Sequence, residues 1–75
     1  MTREEEATNE EAIAILTKML NSAEYDLLTI DKNLTKCERE QLSFSISFYK
    51  GEMAMTKRTI GALKRAIKAI REEKL

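Results

Sequence analysis

The sequence predicts an all-α fold: an antiparallel helical hairpin with a long second helix, assembling as a homo-oligomeric helical bundle. Three observations carry this. The 75 residues include no Pro and only two Gly, and 35% of them are charged, dominated by helix-forming Glu, Lys and Arg. Apolar residues recur at alternating steps of three and four through both halves of the chain. The second half also carries an additional apolar stripe that one neighbouring helix has no surface to cover.

The first helix is built on Ile13, Leu16, Leu20, Ala23, Leu27, Ile30 and Leu34, a stripe of the a/d type that faces one partner. Two capping boxes compete for its start, Thr2-x-x-Glu5 and Thr8-x-x-Glu11, and the second places the helix at about 9–32. Asn33 tolerates the left-handed conformation that ends helices, and Thr35-x-x-Glu38 offers a fresh capping box just beyond it. A tight turn is therefore expected near Asn33, with Cys37 in the first turn of the next helix.

The second helix is expected over about 36–74, on the stripe Leu42, Ile46, Tyr49, Met53, Thr56, Ile60, Leu63, Ile67 and Ile70. Within it, Leu42 to Phe48 alternate apolar and polar residues, which is a strand signal, and Lys50-Gly51 could make a hairpin turn. Helix is the preferred reading, because the three–four register runs through the segment and an isolated two-stranded hairpin is marginal. Gly51 marks the point where this helix would kink. At about 1.5 Å per residue the second helix, at roughly 58 Å, should outrun the first, at roughly 36–45 Å. The whole chain, 1–75, forms one domain.

At about 100° per residue, Phe44, Phe48, Gly51 and Met55 fall far around the second helix from its first stripe, and Ala62, Ala66 and Ala69 continue their line. Leaving bulky apolar side chains in water forgoes roughly 1.5–3 kcal/mol each. A copy of the same chain is the economical cover, since two hairpins make a four-helix bundle. Phe44, Phe48, Met55, Ala62 and Ala66 are accordingly the expected oligomer interface.

The net charge is zero, yet its distribution is uneven. Residues 1–40 carry five basic and ten acidic side chains, and residues 41–75 carry eight and three. An antiparallel hairpin brings Glu4–Glu11 towards Lys64–Lys74, so part of the asymmetry is pairing between helices. A strip on the second helix holds Lys57, Arg58, Gly61, Lys64, Arg65 and Lys68 without an acid among them. Gly61 would leave a shallow floor between long cations, suited to a phosphate or a planar anion, with Tyr49 or Tyr25 available for stacking. No Gly-rich phosphate loop is present, since neither glycine precedes a helix N-terminus.

With no His, no Trp and a lone Cys37, the chain lacks the usual inventory for a metal site, a nucleophile–base pair or a disulfide framework. No enzymatic activity, cofactor or metal is expected. The cysteine usage, the acidic N-terminus and the absence of a membrane-length apolar run point to a cytoplasmic protein. The acidic first helix argues against nonspecific nucleic-acid affinity.

The stretches Asn9–Leu16 and Ala62–Ile70 resemble a pattern common in short accessory proteins of phages and prophages of Gram-positive bacteria. That resemblance implies a non-enzymatic protein acting in the host cytoplasm, often as an inhibitor of host machinery. In size and shape the chain is also similar to the helical-hairpin sponges with which some phages sequester cyclic-nucleotide immune signals. Two functions follow as expectations: a homo-oligomer capturing a nucleotide-like anion as an anti-defence protein, or an inhibitor or adaptor that docks its apolar stripe on a host protein.

Overall fold

A computed structural model describes residues 8–73 as two helices, α1 (Asn9–Arg39) and α2 (Ser43–Glu72), joined by Glu40, Gln41 and Leu42. The helices lie antiparallel and pack along their length, in a molecule measuring 55 × 22 × 16 Å. Its thinnest dimension is little more than one helix diameter of about 10–12 Å. Each seam residue is consequently covered from one side only, and among the described residues no large side chain is completely buried.

The start of α1 follows the second capping box. The Thr8 hydroxyl accepts from the Glu11 backbone N–H at 3.1 Å, and the Glu11 carboxylate accepts from the Thr8 N–H at 3.0 Å. That return bond, with the Thr8 hydroxyl adding to it, holds the Glu11 carboxyl below its ordinary value of 4.5. The competing box at Thr2 lies outside the described residues.

The end of α1 corrects the expectation. The helix runs through Asn33 and the Thr35 box to Arg39, and α2 begins at Ser43 instead of about 36. Magnitudes explain the outcome. An interior Asn costs only about 0.7 kcal/mol of propensity, whereas continuing the helix brings Leu34 and Cys37 into the seam, where both are buried. The chain reverses once that stripe is used up, at the next polar seam position, Gln41.

Gln41 adopts the left-handed conformation with φ of 58°. Its N–H donates to the Glu38 carbonyl at 3.2 Å and the Leu42 N–H to the Cys37 carbonyl at 3.0 Å, the two bonds of a Schellman motif. Cys37 thus stands in the last turn of α1, packed in the seam. The helices are nearly equal, 31 and 30 residues, so the expected overhang of the second is absent. The Leu42–Phe48 alternation is helical from Ser43 onward, and α2 continues unbroken through Gly51.

The seam itself is the predicted one. Ala23, Ile60 and Leu63 form its centre, with Leu16, Leu20 and Leu27 packed against them, and Leu34, Cys37 and Ile67 are buried along the same line. Of the two stripes read from the sequence, only Leu42 is exposed, because it belongs to the turn. No helix among the described residues is long and apolar enough to cross a membrane.

Candidate functional site

With Ala23 packed on Ile60 and Leu63, the register of the pair is fixed, and the heptad positions flanking the seam can be followed as rows. In an antiparallel pair the two e rows border one broad face of the hairpin and the two g rows border the other. On α1 the e row reads Glu10, Thr17, Glu24, Asp31 and Glu38; on α2 it reads Ser43, Lys50, Lys57, Lys64 and Arg71. The first is acidic except at Thr17, and the second is basic from Lys50 onward.

Two surface grooves confirm that these rows share a face. One, of about 210 Å³, is lined by Leu27, Leu28, Asp31, Met53 and Lys57. The other, of about 340 Å³, is lined by Thr17, Leu20, Lys64, Ile67, Lys68 and Arg71. The register sets each cation between two e positions of α1: Lys50 between Asp31 and Glu38, Lys57 between Glu24 and Asp31, Lys64 between Thr17 and Glu24, Arg71 between Glu10 and Thr17. Thr17 therefore interrupts the acidic row where Lys64, Lys68 and Arg71 converge.

The basic strip read from the sequence is divided by this arrangement. Lys64 and Lys68 border the larger groove and Lys57 the smaller. Arg58 and Arg65 fall at f positions, pointing away from the seam, and both are exposed. Gly61 is exposed and outside both linings; a Cβ placed there, or at Gly51, meets nothing within 4 Å. Tyr49 is half-buried in the seam, its ring edge-on to Phe48 at 5.2 Å, and is not brought to the cationic strip. Tyr25 is exposed on the outer side of α1.

The opposite, g-side face has another character. Phe48, Met55, Ala62 and Ala66 lie along it on α2, and the register sets Met19 of α1 level with Ala66 and Ile15 level with Ala69. Ile15, Met19, Phe48 and Met55 are each more than half exposed. Two threonines border this face, and each spends its hydroxyl on its own helix: Thr29 donates to the Tyr25 carbonyl at 3.3 Å and Thr59 to the Met55 carbonyl at 3.1 Å. Such back-bonding satisfies the hydroxyl internally and leaves a methyl group outward. Phe44, at 85% exposure, stands further around α2 at an f position.

Four residues were missed in the sequence: Thr17 and Arg71 on the charged face, Ile15 and Met19 on the apolar one. Reading every seventh residue from Glu10 and from Lys50 would have found the first pair. Extending that to both g-side flanks would have found the second. Compared with known protein families, with curated proteins and with solved structures, the chain matches none.

Proposed function

We propose that the chain is a non-enzymatic helical binding protein that assembles with copies of itself through the g-side face. The observation that carries this reading is the segregation of the two broad faces. One is charged and carries a groove, with Leu28 exposed at its edge; the other presents Ile15, Met19, Phe48 and Met55 to solvent, with Asp26 and Glu52 at its g positions and the threonine hydroxyls bonded within their own helices. Two such faces placed together make a four-helix bundle, with Ala62 and Ala66 allowing close approach of helices. Phe44, at an f position, stands outside that interface.

Assembly on the g side leaves the e side open to solvent, and its cations suit an anionic, nucleotide-like ligand. Sequestration of such a ligand, in the manner of a phage anti-defence protein, is the function proposed. Phe44 favours a second reading, a protein inhibitor or adaptor: so large and exposed an aromatic at an f position points away from both the seam and the self-association face. Native mass spectrometry of the purified chain tests the two together. A dimer or higher species carrying a small molecule supports capture, whereas a monomer carrying nothing contradicts it and leaves the docking reading in place.

A further inference from the structure

We infer that the groove at Thr17 is a phosphoryl-binding site, occupied by the phosphate group of a small molecule, with Lys64, Lys68 and Arg71 as its cations and the Thr17 hydroxyl as a fourth donor. This names the ligand chemistry of the binding function proposed above and rests on that reading, although the groove itself lies within one hairpin.

The charge pattern of the e face breaks at Thr17. Along the e face, acid and base alternate between the helices, and a face of that kind has no need of a ligand. Lys50 and Lys57 each have an acidic e-row neighbour on both sides. Lys64 and Arg71 each lose one of theirs to Thr17, and Lys68 joins them from the adjoining b position. The groove where the three meet has a volume of about 340 Å³, and none of its six lining residues is acidic. Glu10 and Glu24 flank it at either end, one heptad from Thr17 in each direction.

Its composition favours a phosphoryl group over a carboxylate. Three cations and a hydroxyl offer more donors than a carboxylate's two oxygens engage, and they suit the three terminal oxygens and the double charge of a phosphomonoester. Arg71 supplies a planar fork while the two lysines act as compact charges that can follow it. Leu20 and Ile67 form the floor, an apolar surface on which an uncharged portion of the ligand can rest. The adjoining outward positions of α1 beside Thr17 are Ala14 and Asn21, both uncharged, so the nearest carboxylates to the groove on that helix's e and b rows are Glu10 and Glu24 at its two ends.

The decisive variant is Thr17→Glu, which supplies the acid that the row omits. It closes the charge pattern, so the hairpin keeps its helicity and its thermal midpoint is unchanged or raised, while phosphoryl binding is lost. Isothermal titration of inorganic phosphate, pyrophosphate and adenosine monophosphate into wild type, Thr17→Glu, Arg71→Gln and Lys50→Gln reads this out. The expected results are binding to wild type, a ten-fold or greater weakening in Arg71→Gln, no measurable binding in Thr17→Glu, and little change in Lys50→Gln. Preference for the nucleotide over pyrophosphate identifies a ligand that uses the apolar floor; the reverse identifies free phosphate chemistry, and either order supports the site. Absence of binding to wild type up to millimolar concentration, or equal binding by Thr17→Glu, overturns it. Light scattering on the same samples separates the two proposals: a monomer that binds phosphate upholds the groove and contradicts assembly, and an oligomer that binds none does the opposite.

Discussion

Gln41 illustrates how a single residue yields to the helices on either side of it. A residue with a Cβ pays roughly 1–2 kcal/mol to enter the left-handed region, yet the seam residues Leu34 and Cys37 require the reversal to occur there. Glycine relieves that strain and gives back part of the gain through its freer unfolded chain. Gln41→Gly is therefore expected to stabilise the hairpin by about 0.5–1 kcal/mol, read as a shift in the urea midpoint with unchanged slope. Glu11 supplies a second test at this scale. Its carboxyl is held below 4.5 in the folded chain, so its contribution to the cap is fully present above that pH and is lost as pH falls through the lower, folded value. Helicity measured by circular dichroism should accordingly decline at acid pH in the wild type, and this component should disappear in Glu11→Gln, which preserves the capping box without a titrating group.

At the scale of the element, both helices were legible because each carries a sustained seven-residue pattern with few breakers. The Thr8 cap was legible too, since its box stands directly before the apolar stripe. The turn was not. Glu40-Gln41-Leu42 contains no Gly, Asn or Pro, whereas Asn33 and Thr35 look like stop and start signals and are overruled by packing. A signal was present in the stripe itself, which steps from Leu34 to Cys37 and fails at Gln41. The same distinction between seam and flank gives a prediction for α2. Leu63 is buried at the centre of the seam and Phe48 is 54% exposed on the g side. An unpaired carboxylate at a buried site costs several kcal/mol, so Leu63→Asp should abolish the helical signal. Phe48→Asp should retain it in the dilute chain and weaken self-association instead. Equal loss of helicity in both variants would contradict the assignment of the two faces.

Taken whole, the molecule is a single layer of two helices, and its zero net charge conceals two unlike faces. The apolar stripe on α2 was visible in the sequence because Phe44, Phe48 and Met55 recur at near-helical spacing away from the first stripe. Its continuation onto α1 was not visible, because Met19 and Ile15 join it only when the antiparallel register sets them level with Ala66 and Ala69. The candidate ligand site was legible as a basic strip but not as a groove. Its division depends on which cations flank the seam, and on the omission of an acid at Thr17 that only the facing row reveals.

Self-association through the g-side face is the central claim, and sedimentation equilibrium of wild type beside Met55→Glu tests it most directly. Met55 is 64% exposed in the hairpin, so a glutamate there should leave the isolated chain folded while placing a charge inside the proposed interface. The account predicts a dimer or larger species for the wild type at tens of micromolar and a helical monomer for the variant. A well-folded wild-type monomer at hundreds of micromolar would contradict it, as would a variant that assembles as tightly as the wild type.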